Sequence, residues 1–163
     1  MRPIAGRWSY QLWSRFDILL PDDLQNCSSF TLQHLKDARD GVITVAETGG
    51  PIPFDFKRVY YISGLNDPTS VRGGHAHKTL EQAIVCAAGS FRLDLDDGSR
   101  KASVVLDSPH AGVYVGPHVW HTLTEFAPGT VVIVLASDVY SEEDYIRNYD
   151  EFQAVSGESK KNP

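Results

Sequence analysis

Two histidines stand with one residue between them in VRGGHAHKTLEQ, residues 71–82. If this segment is a β-strand, His75 and His77 project from the same face, so that their imidazoles can act together. The reference pKa of histidine, about 6.5, makes both a neutral base and a charged acid accessible near neutral pH, and imidazole is also a common metal ligand. The pair therefore indicates either proton transfer or metal binding.

A metal site would need further ligands, and the sequence offers candidates. His121 lies in the later segment GVYVGPHVWHTLTEF, and Glu81 follows the histidine pair closely. Three imidazoles and a carboxylate would suit iron, manganese or zinc. However, strand alternation allows only one of Glu81 and Gln82 to face an interior. A metal-binding protein and a metal-free site that moves protons are thus both hypotheses for this sequence.

Composition limits the class of protein. The 163 residues suit one domain with a real core, since 42% of them are hydrophobic. Fifteen basic against twenty-one acidic residues give a formal charge of −6, which argues against a nucleic-acid surface but allows a local cationic site for a small anion. No stretch reaches the roughly 18 apolar residues that a membrane span requires. We therefore predict no membrane or nucleic-acid partner, and a cytoplasmic location.

From residue 42 onward the sequence reads as short β-strands. Runs rich in β-branched and aromatic residues alternate with turn-forming clusters such as TGGPIP, LNDPTS and FAPG. In SFRLDLDDG, apolar Phe91, Leu93 and Leu95 alternate with polar residues, which is typical of a half-buried strand, and Asp97-Gly98 predicts a hairpin turn. Roughly eight such strands without long helices between them predict an antiparallel sandwich or barrel.

The two ends of the chain differ from this pattern. Residues 1–40 lack a clean period and form a poorly readable N-terminal segment, residues 41–153 form the β domain, and residues 154–163 are a polar tail that we predict to be disordered. One helix is predicted in SEEDYIRNYDEF, with Ser141 as its cap. The apolar face of that helix would consist of Tyr145, Ile146, Tyr149 and Phe152.

Four segments carry a resemblance to a known family. IPFDFKRVYYI, RGGHAHKTLEQAIVCAAGS, LDSPHAGVYVGPHVWH and VLASDVYSEEDYIRNYDEF resemble, in order and spacing, the nucleotide-sugar 3,4-ketoisomerases, which are sugar-isomerase cupins of the FdtA or WxcM-like type. The resemblance implies an all-β cupin fold, a jelly-roll or double-stranded β-helix barrel with a short C-terminal helix. It also implies a homodimer that pairs or exchanges N-terminal strands, so residues 1–40 are a possible dimer-forming segment.

The resemblance further implies an enzyme without metal or other cofactor. Such an enzyme converts dTDP-4-keto-6-deoxyglucose to a dTDP-3-keto-6-deoxyhexose by histidine-mediated proton transfer between C3 and C4 through an enediol. The C4 carbonyl acidifies the C3 proton, so a donor that stabilises the enolate oxygen suffices. The alternatives are a metal-binding cupin, acting as an oxygenase or a sugar sensor, and a 3,5-epimerase-like enzyme. The sequence leaves the C4 configuration of the product open.

Candidate roles follow for individual residues. We expect His75 to be the base at C3 and His77 its partner, and Tyr61 to donate its hydroxyl, although alternation allows only one of Tyr60 and Tyr61 to face a pocket. The other candidates bind substrate: two arginines through their planar guanidinium groups, an aromatic wall and a further histidine. These substrate-binding candidates are Arg72, Arg58, Trp120 and His121.

Overall fold

A computed structural model describes residues 20–37, 39 and 41–158, so most of the predicted N-terminal segment lies outside the described residues. The strands of the N-terminal half are β1 Cys27–Thr31, β2 Gln33–Asp37, β3 Gly41–Val45, β4 Arg58–Ile62, β5 Arg72–His77 and β6 Gln82–Ala88. Those of the C-terminal half are β7 Phe91–Asp96, β8 Lys101–Leu106, β9 Ala111–Val115, β10 Trp120–Thr124, β11 Val131–Ala136 and β12 Tyr145–Ile146. A 3-10 helix, Glu142–Asp144, precedes β12, and the helix α1 spans Tyr149–Glu158.

Two antiparallel sheets form the barrel. The first has the strand order β1-β9-β6-β11-β4, and the second has the order β12-β5-β10-β7-β8. Strands β2 and β3 form a separate hairpin. This arrangement confirms the predicted all-β cupin fold with a short C-terminal helix.

The main apolar core lies between the inner faces of the two sheets. On β7, Phe91, Leu93 and Leu95 are buried, as their alternation predicted, and they belong to one cluster with Ile84 and Val132 of the first sheet. A second apolar cluster, which includes Phe30, Phe54 and Val85, covers the outer face of the first sheet. Burial on both faces explains why β6 reads as a continuous apolar run rather than an alternating one.

The predicted hairpin turn after β7 is present. The carboxylate of Asp97 accepts hydrogen bonds from the backbone N–H groups of Ser99 and Arg100, at 2.8 and 2.9 Å, and Gly98 has a φ of 85°. An aspartate that bonds the backbone two residues ahead is a common turn device, and glycine adopts a positive φ without strain. The turn joins β7 to β8 in register.

The C-terminal helix differs from the predicted one in both bounds. Tyr145 and Ile146, expected on its apolar face, instead form the strand β12, which pairs with β5. The helix begins at Tyr149 and continues past residue 153, through Glu158, so the segment predicted as a tail is helical over that length. Phe152 keeps its predicted apolar role and is fully buried. No helix in the described part of the chain is long and apolar enough to cross a membrane.

Candidate active site

Strand pairing in the second sheet brings three histidines and a tyrosine together. His75 of β5 lies directly opposite His121 of β10, and His77 of β5 lies directly opposite Tyr145 of β12. Directly opposed residues in an antiparallel pair project from the same face. Accordingly, the ring centroids of His75 and His121 are 4.7 Å apart, and those of His77 and Tyr145 are 4.4 Å apart. The rings of His75 and His77 are separated by 4.9 Å.

Gly73 makes this close pairing possible. The register between β10 and β5 shifts just after His121, so the backbones crowd at this point. A Cβ atom on Gly73 would lie 2.6 Å from the carbonyl oxygen of His121, and the φ of Gly73 is 76°. Only glycine satisfies both conditions without displacing the strand that carries His75.

His77 is held by a carboxylate from the segment SEEDYIRNYDEF, which the sequence analysis predicted to be helical. Its Nδ1 atom lies 3.0 Å from Oδ2 of Asp144. Oδ1 of Asp144 accepts hydrogen bonds from the backbone N–H and the hydroxyl of Thr79, at 2.8 and 2.7 Å. Burial would raise the pKa of Asp144, but these bonds and the imidazole of His77 hold it below its usual range. Asp144 is therefore a fixed anion beside His77.

The three histidines of this cluster have pKa values below the usual value for histidine. Burial, reinforced by the adjacent His77, lowers the pKa of His75 to about 4. Burial and the neighbouring histidines lower that of His121 to about 3. Burial also lowers the pKa of His77, although the charge of Asp144 opposes the change. Nε2 of His77 and Nδ1 of His75 are buried and have no hydrogen-bond partner among the described residues, and of these two histidines it is His75 that lines the cavity described next.

A cavity of about 340 Å³ opens beside this cluster, between the two sheets. A volume of this order can hold a sugar, since small-molecule sites span roughly 300–1,000 Å³. The second sheet contributes the histidine side of the cavity, and the first sheet contributes a mainly apolar side. The lining residues are Arg72, Gly73, His75, His121, Leu123 and Tyr145 on the histidine side, Arg58, Tyr60, Ile62, Ile84 and Val134 opposite, and Tyr140 at the rim.

The structure corrects the choice between the two tyrosines of β4. Tyr61, expected to act in the pocket, points outward and is 73% exposed. Tyr60 lines the cavity, and its hydroxyl accepts a hydrogen bond from Nε2 of Gln82 at 2.9 Å. Burial raises the pKa of Tyr60 to about 12, so its hydroxyl keeps its proton. The reason is the register of β4, which turns Arg58, Tyr60 and Ile62 inward.

The choice between Glu81 and Gln82 is also settled by the fold. Gln82 is 2% exposed and faces the interior beside Tyr60. The carboxylate of Glu81 instead accepts a hydrogen bond from the hydroxyl of Tyr114, at 2.8 Å, in the region of the outer apolar cluster. Residues 78–81 leave the strand, which breaks the alternation that would have kept Glu81 in line with His75.

The predicted ligand set of three histidines and Glu81 is therefore not assembled. In the described ranges, the one group of side chains that could hold a metal ion is His75, His77 and His121, whose ligand atoms all lie within 4.8 Å of one another. His121 is buried, as its role in this group requires.

Three of the four predicted substrate-binding residues line the cavity, namely Arg72, Arg58 and His121, and Trp120 does not. Arg72 is exposed and lines the cavity, and Arg58 lines it from the opposite sheet with its guanidinium 5.4 Å from the Tyr60 ring. Trp120 lies on the far face of the second sheet, because it alternates with His121. There it packs against Tyr149 of α1, with ring centroids 5.1 Å apart, so it forms no wall of the cavity.

The sequence analysis missed an aromatic and ionic cluster beside the cavity. The guanidinium of Arg147 lies 4.1 Å from the ring centroid of Tyr145 and makes two hydrogen bonds to Glu142, at 2.7 and 2.9 Å. The hydroxyl of Tyr140 also donates to Glu142. In this cluster the guanidinium of Arg147, fixed by Glu142, packs against the ring of Tyr145. No local signal revealed it, because the segment reads as a helix rather than as a strand against β5.

Comparisons with known proteins show which proteins this chain is similar to. Residues 25–157 match the model of the FdtA family, described as WxcM-like, C-terminal. The chain is 50% identical over 117 residues, 72% of its length and 83% of the relative's, to the TDP-4-oxo-6-deoxy-alpha-D-glucose-3,4-oxoisomerase of Aneurinibacillus thermoaerophilus.

Solved structures extend the similarity to the fold. A mutant of the 3,4-ketoisomerase QdtA from Thermoanaerobacterium thermosaccharolyticum, in complex with TDP-4-keto-6-deoxyglucose, matches at a TM-score of 0.79 with 38% identity, over 83% of this chain and 96% of that one. The WlaRB TDP-quinovose 3,4-ketoisomerase from Campylobacter jejuni matches at a TM-score of 0.75 with 41% identity, over 80% of this chain and 98% of that one.

Proposed function

The chain belongs to the FdtA family (WxcM-like, C-terminal), and we propose that it is a 3,4-ketoisomerase of TDP-4-keto-6-deoxyglucose. The observation that carries this proposal is the convergence of His75, His77, His121 and Tyr145 beside a cavity of sugar size. Moving a ketone from C4 to C3 requires a proton to leave C3 and a proton to arrive at C4. A group of mainly neutral imidazoles suits both steps.

His75 is the best candidate for the group that takes the proton from C3, as expected from the sequence. It lines the cavity, and burial lowers its pKa to about 4, so its imidazole is neutral and can act as a base. His77 is not among the residues that line this cavity, but its ring lies 4.9 Å from that of His75 and its Nδ1 contacts Asp144. We therefore assign His77, oriented by Asp144, as the partner that positions His75 or relays a proton.

The remaining polar groups of the cavity suit the sugar oxygens. The C3 proton is acidic because the C4 carbonyl is adjacent, and its removal places negative charge on O4. A hydroxyl donor near that oxygen lowers the barrier. Tyr60 keeps its proton and lies on the wall opposite the histidines, so it can donate to a ring substituent. This route consumes no cofactor.

We assign the diphosphate of the substrate to Arg72 and Arg58. Arg72 is exposed at the cavity and makes no ion pair with another described residue, so its planar donor group is available to an anion. Nε of Arg58 is buried without a hydrogen-bond partner in the described part of the chain. Two guanidinium groups on opposite sides of the cavity would clamp a diphosphate and leave the sugar pointing toward the histidines.

The homodimer and the cytoplasmic location also remain proposals. Strand β4 is the last strand of its sheet within the described ranges, and it exposes Val59 and Tyr61 on its outer face. An exposed apolar face of this kind suits a second copy of the chain. Light scattering of the purified protein tests the dimer, for which we expect twice the mass of the chain.

Cys27 and Cys86 are both free thiols, which suits a reducing compartment such as the cytoplasm.

Proton NMR of the reaction in deuterated water tests the activity. Incubation with TDP-4-keto-6-deoxyglucose should shift the carbonyl from C4 to C3, with solvent deuterium appearing at C3 of the substrate or C4 of the product. Exchange at C5 without carbonyl migration would instead identify an epimerase. The same incubation after dialysis against a chelator should proceed at an unchanged rate, and loss of activity restored by a divalent transition metal would favour the metal-binding alternative.

A further inference from the structure

We propose, on the basis of the ketoisomerase activity above, that Tyr145 is a positioning residue, whose ring fixes the imidazoles of His75 and His77. Arg147 and Glu142 in turn hold that ring in place. Removal of a proton from C3 requires the base to point at one carbon atom, and a displacement of about 1 Å can cost a factor of about 100 in rate. The packing around His75 therefore matters as much as its basicity.

The imidazole of His75 is surrounded by other rings. Its Nδ1 atom is buried and has no hydrogen-bond partner in the described part of the chain, so that nitrogen does not fix the ring. Three rings pack around this imidazole, those of His77, His121 and Tyr145, at centroid distances of 4.9, 4.7 and 4.8 Å. Tilted and edge-on contacts at such distances are favourable for aromatic rings. Tyr145 also packs against His77, at 4.4 Å, so its single ring contacts both imidazoles of the pair.

The backbone around Tyr145 gives this ring little support. β12 consists of Tyr145 and Ile146 alone, and it pairs with β5 at the edge of the second sheet. Strands usually have about five or six residues, so a strand of this length contributes few ladder hydrogen bonds. Tyr145 also lines both the sugar cavity and a second cavity of about 340 Å³, which includes His77 and Asp144 in its lining. Side-chain contacts must therefore keep the ring in place between the two cavities.

Arg147 and Glu142 supply those contacts. The guanidinium of Arg147 lies 4.1 Å from the ring centroid of Tyr145, within the range of a cation–π interaction. Glu142 accepts two hydrogen bonds from this guanidinium, at 2.7 and 2.9 Å, and such a paired contact fixes the plane of the donor group. Neither Arg147 nor Glu142 lines the sugar cavity, so their packing reaches the histidines through Tyr145.

Two substitutions of Tyr145 separate its ring from its hydroxyl. Tyr145→Phe keeps the ring and should leave kcat within about threefold of the wild type, whereas Tyr145→Leu should lower kcat about 10- to 100-fold with little change in KM. Equal losses in the two variants would assign the effect to the hydroxyl. A raised KM with an unchanged kcat in Tyr145→Leu would make the ring a wall for the substrate. Either result would overturn the proposal.

Arg147 and Lys101 form a matched pair for a second comparison. The ammonium of Lys101 lies 5.3 Å from the ring centroid of Tyr149, which packs against Trp120 on the far face of the second sheet. Arg147→Gln should lower kcat by about three- to tenfold, while Lys101→Gln should change it by less than about twofold. Equal effects would show that the loss of any such cation lowers kcat, which would contradict a specific role of Arg147 at Tyr145.

NMR of the imidazole groups tests the positioning without a substrate. In the wild type and in Tyr145→Phe, His75 and His77 should each give one sharp set of ring signals. In Tyr145→Leu these signals should broaden or double, because the rings then exchange between orientations. One sharp set with unchanged ring-to-ring nuclear Overhauser contacts in Tyr145→Leu would overturn the proposal. Failure of the wild type to move the carbonyl would instead refute the ketoisomerase activity, and the NMR comparison would still decide whether Tyr145 positions the histidines.

Discussion

Nδ1 of His77 lies 3.0 Å from Oδ2 of Asp144, and this pair joins the end of β5 to the segment that leads into β12. The contact links two parts of the chain that are 67 residues apart. It orients the imidazole and favours its charged form, while burial favours the neutral form. Of the three histidines in the cluster, His77 is the one with a carboxylate partner among the described residues.

We expect Asp144→Asn to lower kcat about 100-fold with little change in KM, because general acid–base catalysis contributes factors of about 100 or more. Asp144 raises the pKa of His77, so its loss should move the acidic limb of the kcat profile to lower pH. A purely structural role would not shift that limb. Steady-state kinetics between pH 5 and 8 measure both effects.

Thr79→Val is the matched control for this variant. It removes the hydroxyl bond to Asp144 but leaves the backbone bond of the same residue and the contact with His77 in place. We expect a smaller loss of kcat and an acidic limb close to that of the wild type. If Asp144→Asn and Thr79→Val had identical pH profiles, the proposed effect of the carboxylate on His77 would be wrong.

The two adjacent tyrosines of β4 provide a second comparison. Tyr60→Phe should reduce kcat/KM about tenfold, as expected for the loss of one hydrogen bond of about 1.4 kcal/mol to the substrate. Tyr61→Phe should change kcat/KM by less than about twofold, because its side chain faces away from the cavity. Equal losses in the two variants would contradict the assignment of Tyr60 to the substrate.

The arginines should affect affinity more than turnover. Arg72→Ala and Arg58→Ala are each expected to raise KM for the TDP-sugar by about 10- to 100-fold, the cost of losing a hydrogen bond to a charged group. Arg100→Ala is the control, since Arg100 pairs with Asp23 in the region of the β7–β8 turn. Unchanged binding of TDP to the Arg72 variant, measured by calorimetry, would remove Arg72 from the diphosphate site.

The buried histidines should make stability depend on pH. The pKa of His121 is about 3 in the folded chain, below the usual 6.5, so the unfolded chain binds more protons between these values. Its contribution to stability is complete above about pH 6.5 and is lost as the pH falls below that value. For His121 alone, the free energy of unfolding should fall by about 2 kcal/mol between pH 7 and 5. Urea unfolding at the two pH values measures this difference.

A His121→Gln variant isolates this effect. The substitution is expected to destabilise the fold at pH 7, so the informative quantity is the change in free energy of unfolding between pH 7 and 5 rather than either value alone. That change should be smaller than in the wild type by about 2 kcal/mol. An undiminished pH dependence would mean that other groups, His75 among them, account for it.

The features that the sequence predicted correctly are those set by local patterns. The alternation in Phe91–Asp96 shows which side chains are buried, and the spacing of His75 and His77 places their rings on one face, because a strand has a period of two. The turn at Asp97-Gly98 follows from the chemistry of those two residues alone. Each of these inferences needs no knowledge of the neighbouring strands.

The features that were missed depend on contacts between distant segments. Tyr60 rather than Tyr61 faces the cavity because β4 pairs with β11 in one register, which its own sequence does not encode. Tyr145 becomes part of a two-residue strand because β5 offers it an edge, although its surroundings favour a helix. Asp144 reaches His77 only through that pairing, so its partnership with the imidazole was invisible in the sequence.

The central claim is that His75 removes the proton from C3 of the sugar. The most direct measurement is the rate at which the C3 proton of TDP-4-keto-6-deoxyglucose is lost in deuterated water, compared between the wild type, His75→Asn and His110→Asn. His110 lies in the turn before β9, beside His34 and away from the cavity, and controls for the loss of an imidazole. We expect His110→Asn to behave as the wild type and His75→Asn to lose C3 exchange by a factor of about 100 or more. Exchange at C3 at the wild-type rate in His75→Asn would contradict the account.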